Sequence, residues 1–314
     1  MRNGTEERPP TKTDIHILAA WKSSTLKGYA SAVSKFVRFQ KSRNVSSFQL
    51  PISETMLEDF CIWAGRNAVT SNTGKISSLS LRKYVAGLKA WHVYHNVTFP
   101  TENKTRIDLI LKASSREDEK VTKVPPKRPI MFWHMQHLWK NLVQGDEFDK
   151  AVLDMAIVAF WGLARLAELT YAIESGITGS PGKPQLITLA EQQHVLCPVL
   201  AIKRRLSSAV GARTSLFGYG AGNNRRHLIR SRAVARVETI LEGGGYSGIK
   251  GHSFRVGGAS FRAAFGMSHS DICLLGRWNS NCFKIYLRAY SAEDLSKTKA
   301  LVRVFKRNWS RMMA

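Results

Sequence analysis

Residues 252 to 266 read HSFRVGGASFRAAFG, with His252 three residues before Arg255 and small residues behind them. At the mouth of a helix the two side chains share one face, where free backbone N–H groups and the helix dipole favour an anion. Arg165 in WGLARLAELT precedes them; Trp278 in LLGRW and Tyr286 in FKIYLR follow. Each has an ordinary explanation when taken singly. Arg165 pairs locally with Glu168, His252 and Arg255 are a capping histidine and an exposed arginine, and Trp278 and Tyr286 are core aromatics. As an ordered set they suit one task. Two guanidiniums grip a phosphodiester through paired N–H groups, and a phenol oxygen attacks it.

These residues must be placed by helices. Leu26, Tyr29, Val33, Phe36, Val37 and Gln40 recur at spacings of three and four, which predicts an amphipathic helix capped by Ser23 or Ser24. SETMLEDFCIWAGRNA, SSLSLRKYVAGLKAWHVYHN and TENKTRIDLILKASSR predict three more. Residues 1–20 read as a disordered tail and 21–116 as a helical domain. Residues 117–129, charged and proline-bearing, read as a linker. Residues 130–314 read as a second, mostly helical domain in which PQLITLA is the best strand candidate. Arg165 falls inside an apolar helix, where an unpaired guanidinium would cost several kcal/mol. Gly257, Gly258 and Ala259 would let the helix behind His252 pack closely.

Charge points to the partner. The 314 residues carry 47 Lys and Arg against 23 Asp and Glu, a net charge of +24. Residues 1–129 hold 22 basic and 11 acidic residues, residues 130–199 hold 4 and 7, and residues 200–314 hold 21 and 5. Two basic blocks flank a slightly acidic middle, so a polyanion gripped from both sides fits better than a basic tail. The candidate phosphate contacts are Lys203, Arg204 and Arg205 in IKRRLSS, Arg225, Arg226 and Arg230 in GNNRRHLIRSR, and Lys250. No apolar run reaches 18 residues, so no membrane span is expected. Cys61, Cys197, Cys273 and Cys282 lack zinc-ligand spacing and are expected to be reduced thiols of an intracellular protein. His134 and His137 lack a third ligand, so no metal site is assigned.

The motifs WGLARLAEL, GHSFRVGGAS, LLGRW and FKIYLR resemble those of the tyrosine recombinases of the phage-integrase superfamily. They are most similar to the Crypton and DIRS-type branch of eukaryotic mobile elements. The resemblance spans about residues 21–300, and its C-terminal motifs are the specific part. It implies a mainly α fold: a SAM-like core-binding bundle and a mostly α catalytic domain with a small, reduced antiparallel β-sheet, closing on DNA as a C-shaped clamp. It implies that Arg165, His252, Arg255 and Trp278 surround the scissile phosphate, with Glu168 as a structural neighbour of Arg165. Tyr286 would be the nucleophile, its YLR context favouring it over Tyr290. Double-stranded DNA is the implied partner, bound by a synaptic homotetramer that exchanges its C-terminal helix, in the nucleus if the source is eukaryotic. The chemistry joins the 3′-phosphate to tyrosine and releases a 5′-hydroxyl, so no cofactor is implied. The family's general-acid lysine lies on a β-hairpin that is shortened here, which leaves Lys183 to substitute or the acid missing. A degenerate protein that clamps DNA without cutting it is the alternative, and a type IB topoisomerase a third reading.

Overall fold

The computed structural model describes residues 2–71, 73–100, 104–121, 128–175, 186–209, 215–220 and 224–313. The chain forms two compact units, Met1–Val124 and Pro125–Ala314.

The first unit holds α1 (Lys12–Ala19), α2 (Ser23–Ser42), α3 (Glu54–Ala64), α4 (Ser78–Tyr94) and α5 (Lys104–Lys120). Phe36, Phe39, Leu57, Phe60, Leu81, Leu88, Trp91 and Leu111 form its core. Ser53 caps α3 by accepting from the Met56 amide at 3.1 Å, whereas α2 begins at Ser23 after an uncapped Lys22. The N-terminal residues are ordered rather than a loose tail. The Arg2 carbonyl accepts from Trp91 Nε1 at 2.8 Å and lies 2.9 Å from His95 Nε2. Thr11 and Asp14 cap α1 reciprocally, the Asp14 amide to Thr11 Oγ1 at 3.1 Å and the Thr11 amide to Asp14 Oδ2 at 2.8 Å. That amide bond, helped by Arg8, holds the Asp14 carboxyl down at about 2. The expected linker is also shorter at its start. Helix α5 runs on to Lys120 because Asp118 accepts from Arg66 and from the Ser78 amide.

The second unit holds α6 (Phe132–Leu142), α7 (Glu147–Trp161), α8 (Leu166–Leu169), α9 (Pro198–Ser208), α10 (Arg230–Gly243), α11 (Ser253–Ala264), α12 (His269–Leu275), a 3-10 turn (Asn281–Tyr286) and α13 (Ala292–Met313). Helix α7 is its spine, buried from Ala151 through Trp161. The close approach expected of the small residues in α11 is present. A Cβ on Gly258 would lie 2.1 Å from the Phe160 carbonyl, and one on Gly257 2.1 Å from the Ile130 carbonyl. Arg262, one turn further along α11, donates to the carbonyls of Trp161 and Gly258. Its cation therefore meets the negative end of α7.

The reduced sheet shrinks to isolated bridges among the described residues, Tyr171 with Ile229 and Tyr219 with Arg226 in this unit. PQLITLA forms no strand over its described part, residues 186–190. Ile187 and Leu189 instead pack across Gly162 at the end of α7, and Leu186 is exposed. Helix α13 is seated on its own unit. Phe305 is buried against Phe132, with ring centroids 5.6 Å apart, and the Lys297 ammonium lies 4.4 Å over Trp133.

Candidate active site

The site gathers where α7 ends and α11 begins. Arg165 is not inside a helix, as the sequence suggested. Helix α7 stops at Trp161, Leu163 turns with φ 47°, and Arg165 is the residue before the short α8. Its amide donates to Glu168 Oε2 at 2.9 Å and its Nη1 to Glu168 Oε1 at 2.8 Å. The side chain stays 52% exposed, so the guanidinium faces solvent while Glu168 fixes its base.

Arg255 is the opposite case. It projects from the first turn of α11 and is 1% exposed. Nη2 donates to the Gly276 carbonyl, but Nε and Nη1 have no partner in a buried setting. The Trp278 ring lies 4.3 Å from its guanidinium carbon and the Tyr286 ring 5.7 Å away. Burial, followed by the nearby charge of Arg165, pushes its pKa down to about 10. A buried guanidinium with open donors is a costly arrangement that an anion would relieve.

Three rings close around it. The His252 and Tyr286 centroids are 4.9 Å apart, and those of Trp278 and Tyr286 5.1 Å. Trp278 Nε1 is likewise a buried donor without a partner. Its ring lies across Gly276, where a Cβ would come within 1.8 Å of Cζ3. Ser260 of α11 holds the chain just after the 3-10 turn: Ser260 Oγ accepts from the Arg288 amide at 2.8 Å, while its one proton faces the Val256 carbonyl at 2.8 Å and the Tyr286 carbonyl at 3.2 Å. Tyr290 belongs elsewhere. It lines a separate pocket with Arg128, His134 and Tyr246, and burial pushes its hydroxyl pKa well above the ordinary tyrosine value.

Two residues of the site were missed in the sequence. Ser260 sits among small residues that read only as packing. Arg277, inside the quoted LLGRW, donates to Glu168 Oε2 at 2.6 Å across 109 residues. Lys183 lies outside the described residues.

The expected phosphate contacts divide into two kinds. Arg230 and Lys250 are exposed and line an open cleft of about 690 Å³ together with Tyr171 and His252. Lys203 and Arg226 are exposed as well, Arg226 lying 3.7 Å from Glu174. Arg204 stays exposed although it is paired, and Arg205 is not an open contact. Both pair with Asp154 on α7, at 2.5 and 2.8 Å, and Arg205 is only 3% exposed. Arg225 is also internal, clipping loops together through the carbonyls of Ser208 at 2.8 Å and Ser215 at 3.3 Å. A run of arginines looked like one basic face; the signal for the pair was Asp154, a lone acid in the apolar stretch of α7.

No family model matches the sequence, and no curated protein matches it. Solved structures do. The Tn1549 transposon integrase in complex with circular intermediate DNA aligns over 92% of this chain and 97% of its own, with a TM-score of 0.55 at 15% identity. The same integrase with transposon right-end DNA aligns over 91% and 96%, with a TM-score of 0.53 at 14% identity. The XerH site-specific recombinase bound to its difH substrate aligns over 87% and 78%, with a TM-score of 0.50 at 14% identity. The fold is that of the tyrosine recombinases. In the tyrosine-recombinase fold of this chain, Arg165, Arg255, His252, Trp278 and Tyr286 converge at one end of α11, while Arg205 and Arg225 serve the interior.

Proposed function

We propose that this chain is a site-specific DNA recombinase that breaks and rejoins double-stranded DNA through a 3′-phosphotyrosine bond. The observation that carries this reading is the convergence of Arg255 with the Trp278 and Tyr286 rings, 4.3 and 5.7 Å from its guanidinium carbon, and of His252 with Tyr286 at 4.9 Å between ring centroids. Arg255 and the indole N–H of Trp278 bring donors to one place beside a phenol, which suits a phosphodiester.

In the proposed reaction the Tyr286 oxygen forms a bond to phosphorus and the bond from phosphorus to the 5′-oxygen breaks. The phenol proton passes to His252, whose ring lies beside that of Tyr286. Arg255 and Arg165 neutralise charge growing on the non-bridging oxygens. The indole N–H of Trp278 donates to the same group. The 5′-oxygen takes up a proton as it leaves, from Lys183 or from solvent. Rejoining reverses each transfer, with a 5′-hydroxyl as nucleophile. Arg230 and Lys250 hold the backbone in the cleft beside His252. Within this reading the protein acts as a synaptic homotetramer, belongs to the Crypton and DIRS-type branch, and works on nuclear DNA.

A second reading, a protein that clamps DNA without cutting it, is favoured by the reduced sheet, which among the described residues comes down to isolated bridges. Nicked duplexes bearing the element's own ends separate the two. A protein–DNA adduct that survives SDS and disappears in Tyr286→Phe supports the recombinase. Salt-sensitive binding without an adduct supports the clamp. Relaxation of plasmids at unrelated sites would assign a topoisomerase instead.

A further inference from the structure

Glu168 lies between two guanidiniums that are not equivalent. Its Oε1 accepts from Arg165 at 2.8 Å and its Oε2 from Arg277 at 2.6 Å. The Arg165 side chain is 52% exposed and that of Arg277 only 17%. One arginine thus faces outward and the other is held inside. With Arg165 alone, the carboxylate would cancel its charge, and an arriving phosphate would meet a neutral pair beside the single cation of Arg255. With Arg277 in place the three groups carry one net positive charge, presented on the outward side.

The backbone also singles out Arg277. It sits at φ 56°, a left-handed conformation that a non-glycine residue adopts only when its surroundings impose it. Those surroundings are specific. The Arg277 amide donates to the Leu274 carbonyl and the Trp278 amide to the Cys273 carbonyl, each at 3.0 Å. Adjoining Gly276 supplies the carbonyl that receives Arg255 Nη2. The turn that aims Arg277 at Glu168 is therefore the turn that seats Arg255 and Trp278.

We propose that Arg277 is a positioning residue for anion capture: it takes up the charge of Glu168, so that Arg165 meets a phosphate as an uncompensated cation. This deepens the recombinase reading and rests on it for the identity of the anion. A purely structural alternative is that Arg277 only fastens the turn after α12 to α8. The two differ in what happens when the carboxylate is neutralised.

The test is titration of the full chain with inorganic orthovanadate, a phosphate-shaped anion. Arg277→Ala should weaken binding about tenfold or more, as expected for losing one close charge at a half-buried site. Arg277→Lys, which keeps the charge, should stay within about threefold of the parent, and Arg277→Ala with Glu168→Gln should return to about the same range. A double variant no better than Arg277→Ala would overturn the proposal, because fastening would then be the whole role. A parent that binds no vanadate would overturn it as well. Adduct formation on nicked DNA should follow the same order. A parent that shows the vanadate pattern without any adduct leaves Arg277 assigned and removes the recombinase reading. A parent that forms the adduct, with Arg277→Ala equal to it, removes the Arg277 assignment alone.

Discussion

Arg255 carries a cost in the folded protein that the Gly276 carbonyl and the Trp278 ring offset in part. Its Nε and Nη1 are buried without acceptors, and an apolar side chain of similar length would avoid that penalty. Arg255→Met is therefore expected to raise the thermal unfolding midpoint by a few degrees, about 1–2 kcal/mol. The same change should lower adduct formation at least about 10²-fold. Calorimetry and the SDS-resistant adduct read the two effects separately; a destabilised Arg255→Met would remove the argument from open donors. His252 and Arg255 were legible in the sequence because three residues at a helix mouth define their geometry. Arg277 was not legible. Its partner is 109 residues away, and its left-handed backbone depends on how α12 ends.

Helix α11 works because two glycines let α7 and the segment before α6 come to van der Waals distance. Gly258→Ala would press a methyl group 2.1 Å from the Phe160 carbonyl. It should destabilise the second unit by about 1–3 kcal/mol or more, read as a lower midpoint in denaturant. That close packing was readable from the run of small residues. The ion pairs of α7 were not, because the pattern of Arg204 and Arg205 alone is the pattern of a solvated face. Asp154 is 1% exposed with both arginines upon it. Asp154→Ala should cost about 3–5 kcal/mol by stranding the Arg205 charge in the interior. Asp154→Ala at parental stability would show that Arg205 finds another partner. The strand expected at PQLITLA failed for a related reason. Alternating apolar residues fit a pleat, but they fit equally a strip laid across the end of α7 at Gly162.

At the scale of the whole molecule, the net charge of +24 does two jobs. Part of it is spent internally, on Asp154, on loop carbonyls and on the end of α7. The rest is exposed, and Arg230 and Lys250 meet in the cleft that adjoins His252. Alanine at Arg230 or Lys250 should each reduce the slope of log affinity against log salt by about 1 on duplex DNA. Arg225→Ala should leave that slope unchanged and lower stability instead, since its guanidinium is taken up by carbonyls. Composition pointed to a polyanion, while the separation of exposed arginines from buried ones required the packed structure. The central claim is that Tyr286, beside the open donors of Arg255, forms a covalent bond to DNA. It is tested most directly by incubating the chain with nicked duplexes carrying its own element's ends and resolving the products in SDS. A covalent adduct that maps to Tyr286 and is lost in Tyr286→Phe is the expected result. Salt-sensitive binding with no adduct, or an adduct that persists in Tyr286→Phe, would contradict it.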